Sequence, residues 1–359
     1  MDKAISREAA GSVSPAKALV LPSTTLAREA REHFHEVGTG AAAVVEDARH
    51  FSGVLLRSEV DEAVANGAAS KPIGALGLRK YSLLPDASPL AIRRFCQKHG
   101  LDLVPFVDEM GFLREAASRE EAYRRHTQEN AVVIMAGGRG MRLRPMTENR
   151  PKPMLPLGDG PLLEHIVDHL VDCGFYRFHI AVHYLKEQII EHFGDGNGRG
   201  LSISYLIEET PLGTAGALSR LADRENLPLI VNNGDVITTQ PMGEVLRFHR
   251  DQKAQLTVLC KAERHDISYG VVEVNESGEL ASISEKPSLN YLINTGIYVV
   301  DPEVLKLVPA RECYMTEVIR AVRAAGGRVV VFETKEYWRD VGTFDSYARV
   351  IRDMRAGLV

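Results

Sequence analysis

Ala136-Gly137-Gly138-Arg139-Gly140-Met141-Arg142-Leu143-Arg144-Pro145, with Pro151-Lys152-Pro153 close behind it, is the stretch on which the reading of the fold turns. The apolar run Ala131–Ala136 just ahead of it has the length and composition of a buried strand. Three glycines after a strand let the backbone approach a bulky anion and turn its N–H groups toward the anion's oxygens. Arg142 and Lys152 add cations on either side of the loop. No Gly-Lys-Ser/Thr ends it, so it is not a P-loop, and Leu143 stands where the dinucleotide fingerprint needs its last glycine. Ala136, Gly137, Gly138 and Gly140 are therefore candidates for holding a nucleotide's phosphates. Taken alone, the loop also fits a solvated strand-to-helix turn with surface arginines.

Downstream, strand-like and helix-like segments alternate. Leu162–Cys173 reads as a helix with Gly174 after it, Phe178–Val182 as a strand and Lys186–Phe193 as a helix. Leu201–Ile207 and Leu229–Val231 read as strands, Met242–Gln252 as a helix and Leu256–Cys260 as a strand. Such alternation predicts an α/β fold with a Rossmann-like, mostly parallel sheet covered by helices on both faces. Ligands then bind at the carboxyl ends of the strands. His165 and His169 have a spacing that can hold zinc on a helix, but Glu164 precedes the pair and the H-E-x-x-H pattern is not matched. They read as an ordinary helix face. Gly194-Asp195-Gly196-Asn197-Gly198 lacks the closing glutamate of a calcium loop and reads as a turn.

Upstream, one unit occurs twice within residues 17–125. Leu21-Pro22 recurs as Leu84-Pro85, each followed by a helical stretch, Ala27–Val37 and then Leu90–His99. Gly38 and Gly100 end the two helices. Apolar strands follow, Ala41–Val45 and Leu103–Val107, then an acidic turn, then Gly53–Leu56 and Gly111–Leu113. This helix-strand-strand-helix repeat resembles a cystathionine-beta-synthase (CBS) pair, an α+β domain. The resemblance implies a nucleotide ligand and regulation of the neighbouring domain. Where that family has a Thr and an Asp against a ribose, this chain has Leu56 and Glu59, then Arg114 and Ala117. A packing or dimerisation module stays open beside a ligand sensor. The domain expectation is a flexible tail at 1–16, the repeat at 17–125, a polar linker at 126–130 and the α/β domain at 131–359.

Composition narrows the classes. The chain has 359 residues, 45% of them hydrophobic and 25% charged, enough for two domains that each bury a core. Net charge is -5, and basic and acidic residues balance through the first 126 residues, so no nucleic-acid partner is expected. No apolar run approaches the roughly 20 residues of a membrane span, and the first 16 residues lack the apolar centre of a secretory signal. Cys96, Cys173, Cys260 and Cys313 lie far apart with no C-x-x-C pair, which fits a reducing cytoplasm.

The combination G-G-x-G-x-R-L-x-P followed by P-K-P resembles the signature of sugar-phosphate nucleotidylyltransferases, and further motifs follow in that family's order from Ala131 to Tyr347. Pro211-Leu212-Gly213-Thr214-Ala215-Gly216-Ala217 resembles the segment touching the nucleobase, which assigns Gly213 and Thr214 to the nucleotide. Asn232-Asn233-Gly234-Asp235 and Tyr337-Trp338-Arg339-Asp340 resemble the segments whose aspartates hold the metal, which assigns Asp235 and Asp340 to Mg2+. Tyr269-Gly270, Glu285-Lys286-Pro287 and Asn294-Thr295-Gly296 resemble sugar and phosphate contacts, which assigns Gly270, Glu285, Lys286, Asn294 and Gly296 to the substrate. Arg142 and Lys152 become the catalytic cations. The implied reaction joins a nucleoside triphosphate to a sugar 1-phosphate and releases pyrophosphate. The Leu212–Ala217 stretch looks guanylyl- or cytidylyl-like, and a fused CBS pair resembles guanylyltransferases of nonulosonic-acid pathways. GTP is therefore expected, with an amino-sugar, mannose or heptose 1-phosphate; CTP, UTP and dTTP are alternatives. A non-catalytic nucleotide-sensing subunit on the same fold is the rival, and the intact charged set argues against it. A cytoplasmic homo-oligomer without membrane contact completes the expectation.

Overall fold

In the computed structural model the described residues are 18–47, 49–125 and 127–359. The tail expected at 1–16 and His126 of the expected linker lie outside them. The chain divides into two compact units, one taking in the described residues to Thr127 with Gly198–Gly200, the other Gln128–Asn197 with Leu201–Val359.

In the first unit the elements are β1 (Leu19–Pro22), α1 (Ala27–Val37), β2 (Ala41–Glu46), β3 (His50–Leu56), α2 (Arg57–Ala65), α3 (Pro89–His99), β4 (Leu103–Val107), β5 (Leu113–Ser118) and α4 (Arg119–Arg124). β1 pairs parallel with β2, and β2 antiparallel with β3. In the second half β4 pairs antiparallel with β5, and Leu83 bridges parallel to Phe106 as β1 does to β2. The order helix-strand-strand-helix therefore occurs twice. α1 and α3 both end on a left-handed glycine, Gly38 at φ 71 and Gly100 at φ 63. The third segment of the second repeat was expected at Gly111–Leu113, but the strand starts at Leu113. Gly111 and Phe112 instead form the turn that Asp108 caps, its Oδ1 accepting from Phe112 N–H at 2.9 Å.

The second unit contains β6 (Val132–Met135), β7 (Pro156–Leu157), β8 (Gly160–Pro161), α5 (Leu162–Asp172), β9 (Arg177–Val182), α6 (Lys186–Phe193), β10 (Ser202–Ile207), β11 (Leu229–Asn233), β12 (Val236–Thr238), α7 (Met242–Asp251), β13 (Leu256–Asp266), β14 (Val271–Val274), β15 (Leu280–Ser284), β16 (Ser288–Val300), α8 (Pro302–Leu305), α9 (Met315–Ala324), β17 (Val329–Thr334), β18 (Trp338–Asp340) and α10 (Phe344–Arg355). Its main sheet has the order β10-β9-β6-β11-β16-β13-β17. Only β16 runs against its neighbours, so the expectation of a mostly parallel sheet holds. β6 lies between β9 and β11, which explains why Val132, Val133 and Ile134 are all fully buried.

Two features differ from expectation. β13 does not stop at Cys260 but continues with β16 to Asp266 as a two-stranded arm. β14 and β15 form a hairpin beyond it whose paired Val272 and Ile283 are more than half exposed. No helix among the described residues is long and apolar enough to cross a membrane. The four cysteines are free thiols.

Candidate functional site

The glycine-rich loop is tied to the strands on both sides of it. Ala136 N–H donates to Ala181 O of β9 at 2.9 Å, and Gly234 N–H donates to Met135 O at 2.9 Å. At Gly140 the backbone is left-handed, φ 62, and a Cβ there would stand 2.9 Å from the Cβ of Lys152. Glycine is thus the residue that allows the loop to lie against Lys152. The hydroxyl of buried Thr147 donates to Gly140 O at 2.9 Å. Leu143 is buried and pins the short turn Met141–Leu143, leaving Arg142 exposed.

Lys152 starts another short turn, Lys152–Met154, and is itself buried. Its Nζ contacts Asp235 Oδ2 directly and lies 3.9 Å from Asp340 Oδ1. The two aspartates are brought together by β12 and β18, which pair antiparallel with Val236 opposite Asp340. Val341 N–H donates to Asp235 O at 2.8 Å and extends that pairing by one step. Burial, then the charge of Asp235, push the Asp340 carboxyl above its ordinary value, and Lys152 and Arg142 oppose the rise. Two facing carboxylates whose repulsion is only partly offset suit a small hard cation. Magnesium needs only one or two protein carboxylates and completes its shell with water and substrate phosphates. Among the described residues no larger cluster of His, Cys, Asp or Glu offers a rival metal site.

In the segment expected to touch the nucleobase, Gly213 is left-handed at φ 72, and a Cβ would stand 2.5 Å from Cys313 O. Cys313 N–H donates to Leu212 O and Ala215 N–H to Cys313 O, both at 3.0 Å. Thr214 Oγ1 accepts from Met315 N–H at 3.1 Å, so its hydroxyl caps α9. Glu208 was not anticipated from the sequence. It follows β10, is 4% exposed, and its Oε2 accepts from Leu212 N–H at 2.9 Å. The same oxygen lies 3.3 Å from where a Cβ on Gly137 would be, between the glycine-rich loop and the Leu212–Gly213 segment. Burial pushes its carboxyl upward. A lone glutamate after an apolar strand carries no local signal; only its position before Leu212-Gly213 could have drawn attention.

Of the residues expected to meet the sugar, Asn294 and Gly296 lie in β16. Asn294 is engaged at both ends of its amide: Oδ1 accepts from Gly296 N–H at 3.0 Å, and Nδ2 donates to Tyr298 Oη at 2.7 Å. Gly296 packs on Asn233, two residues before Asp235. Gly270, Glu285 and Lys286 belong to the exposed arm. Glu285 Oε2 is 3.0 Å from where a Cβ on Gly270 would be. Among the described residues none of these three bonds to the Lys152–Asp235–Asp340 cluster. His165 Nε2 meets Leu157 O, and His169 Nε2 meets Gln240 O at 3.0 Å, so the pair fastens α5 to two other segments.

Residues 131–357 match the Nucleotidyl transferase family. A mannose-1-phosphate guanylyltransferase of Mycobacterium tuberculosis is 33% identical over 239 residues, 65% of this chain and 66% of that protein. The chain thus spans slightly under two thirds of that relative's length. Among solved structures, a Bacillus anthracis protein assigned as a glucose-1-phosphate thymidylyltransferase, in complex with a sucrose, aligns with a TM-score of 0.51 at 26% identity, covering 63% of this chain and 95% of that one. HddC from Yersinia pseudotuberculosis complexed with GMP-PN aligns with a TM-score of 0.50 at 25% identity, covering 63% and 99%.

Proposed function

We propose, from the premise that the chain belongs to the nucleotidyl transferase family, that it transfers a nucleotidyl group from GTP to a sugar 1-phosphate and releases pyrophosphate. The observation that carries the reading is the Lys152 ammonium lying between the Asp235 and Asp340 carboxylates at the edge of the glycine-rich loop. A phosphate oxygen of the sugar 1-phosphate attacks the alpha phosphorus of the triphosphate. A new phosphorus–oxygen bond forms, and the bond to the beta-phosphate bridging oxygen breaks. Both reactants are anions, so positioning and charge neutralisation supply the rate.

Lys152 bridges the alpha phosphate and the incoming sugar phosphate once substrate displaces it from Asp235. Arg142, exposed beside Asp340, holds the departing pyrophosphate with its planar fork. Loop N–H groups of Gly137, Gly138 and Gly140 receive the phosphate oxygens. Asp235 and Asp340 would hold Mg2+, which neutralises charge on the phosphates when bound. Glu285, Lys286 and Gly270 reach the sugar from the arm. Glu208 supports guanine as the base: guanine's pairing edge offers two adjacent donors, and a carboxylate is acceptor-only. The named relative and the GMP-PN-bound neighbour support the same base, while the thymidylyltransferase neighbour makes dTTP the control.

Mannose 1-phosphate, by the relative's name, is the first sugar to try, followed by heptose and amino-sugar 1-phosphates. In the first unit, a CBS-type pair is supported by the doubled element order. At the position expected to face a ribose, Glu59 accepts from Arg79 at 2.8 Å and from Leu56 N–H at 2.9 Å, which favours packing over ligand sensing.

The test is pyrophosphate release with magnesium, each common nucleoside triphosphate and a panel of sugar 1-phosphates. Release with GTP and one sugar is expected. Release with only another triphosphate would overturn the base, and silence from folded protein would overturn the reaction.

A further inference from the structure

Among the described residues, Asn233 Oδ1 and Arg339 Nε, each close in sequence to an aspartate of the charged cluster, are buried side-chain atoms without a partner. Asn233 closes β11, and its Oδ1 is buried without a hydrogen-bond donor. A buried carboxamide oxygen left without a donor costs on the order of 1–3 kcal/mol, so such an atom needs an explanation. Its surroundings are built to hold the amide there. Gly296 is left-handed at φ 80, and a Cβ at that position would run into the Asn233 carboxamide. Gly296 is in turn fixed by Asn294, whose own amide is satisfied at both ends. Next to Gly296, Thr295 donates through Oγ1 to Leu259 O at 2.7 Å and accepts at its carbonyl from Trp338 Nε1 at 3.0 Å. Gly234, the following residue, is pressed onto the loop, and Asp235 comes next. The chain therefore spends three fixed residues, Asn294, Thr295 and Gly296, on orienting one amide whose acceptor is unused.

Resting on the reaction proposed above, we infer that Asn233 is a substrate-binding residue whose carboxamide oxygen accepts a hydrogen bond from a hydroxyl of the sugar 1-phosphate. A sugar ring presents many hydroxyl donors, whereas the phosphates of either substrate present only acceptors at neutral pH; the donors of GTP are on its guanine, which the reading above seats at Leu212–Ala217, and on the ribose attached to it. An acceptor at the end of β11, beside β16, is matched by the sugar. Asn294, the amide singled out by its motif, then serves as a positioning residue for Gly296, and Asn233 makes the contact.

The chain has a single tryptophan, Trp338, bonded to Thr295 O beside Gly296, so its fluorescence reports binding here independently of turnover. Mannose 1-phosphate is titrated into the wild-type chain and Asn233→Ala, with GTP titrated separately, and pyrophosphate release is followed in parallel. The inference expects Asn233→Ala to weaken sugar-phosphate binding, and raise its KM, by about tenfold or more, with GTP binding within about twofold. Wild type should show a comparable loss with one of the single-deoxy mannose 1-phosphates, and Asn233→Ala should no longer discriminate against that analogue. Equal weakening for GTP and sugar phosphate would overturn the assignment. So would a wild-type chain indifferent to every single-deoxy analogue, a result that does not depend on the variant folding. Active wild type with an unaffected Asn233→Ala variant removes Asn233 and leaves the reaction standing. Sugar-phosphate binding that needs Asn233 without pyrophosphate release under any pair does the reverse.

Discussion

At the scale of single residues, the arrangement makes Asp340 a compromise between stability and activity. Its carboxyl is held above the ordinary range by burial and by Asp235, so the native state favours its protonated form. A group raised in this way contributes stability fully present below its unfolded value and lost as pH rises through its folded value. Asp340→Asn should therefore make the metal-free protein more stable at neutral pH, by about 2–4 °C in melting temperature for each 1 kcal/mol relieved. The gap should close on acidification, and added magnesium should stabilise wild type alone. Melting curves at pH 5 and pH 8, with and without magnesium, check this; a wild type more stable than the variant at pH 8 without metal would contradict it. Magnesium binding, which competes with the Asp340 proton, should weaken as pH falls toward the raised value of the metal-free carboxyl. Asp235→Asn should fold and lose at least about a hundredfold in turnover, measured as pyrophosphate release. Normal turnover would remove Asp235 from the metal pair. Gly140→Ala puts a methyl 2.9 Å from the Lys152 Cβ at a left-handed position. It should cost about 1–3 kcal/mol and displace Lys152, lowering kcat more than it raises KM.

At the scale of elements, legibility followed the source of each segment's stability. α1, α6 and β4 match their expected bounds, because apolar periodicity and end signals lie within the segments themselves. β18 was legible only as a strand end at Asp340: Trp338 and Arg339 join that strand because β12 pairs with them. That same ribbon is what joins Asp235 to Asp340, so the motifs could suggest a shared metal but not how the chain assembles it. The arm was missed for a related reason. Apart from half-buried Val271, its strands are exposed from Glu263 to Leu292, so no buried apolar face stamps a pattern on the sequence. Sequence reasoning picked Asn294 for its motif and passed over Asn233; Asn294 has a partner at each end of its amide, and Asn233 Oδ1 has none. Only coordinates reveal which polar atoms have partners. The segment Leu212–Ala217 supplies an element-scale prediction. Thr214→Val removes the acceptor for Met315 N–H at the start of α9. The expected cost is about 1 kcal/mol, with a higher KM for GTP and little change in that for the sugar phosphate. A stable variant with unchanged kinetics would show that the cap is dispensable.

At the scale of the whole molecule, the hydrophobic cores indicate what can be separated. Two clusters draw only on residues between Leu19 and Ala122, and a third only on residues between Ala131 and Val322. A core that takes no side chain from the other unit keeps its burial when that unit is removed. The cut must respect the start of the second unit. Gln128 N–H donates to Gly174 O at 2.8 Å, and Asn130 Nδ2 donates to Pro228 O at 2.7 Å. These bonds tie the segment ahead of β6 to the loops after α5 and before β11. A chain starting at Gln128 should therefore fold and release pyrophosphate within about threefold of the full chain's rate. One starting at Val132 loses both ties and Ala131, which is buried, and should melt several degrees lower with the same substrates accepted. Gly198–Gly200 group with the first unit, so the truncated chains carry that stretch, between α6 and β10 in sequence, without its companions. Pyrophosphate release and melting temperature for the three chains are the measurements. A soluble, folded chain from Gln128 with turnover reduced a hundredfold would mean that turnover depends on the first unit. The doubled domain would then be a working part of the enzyme rather than a separable appendage.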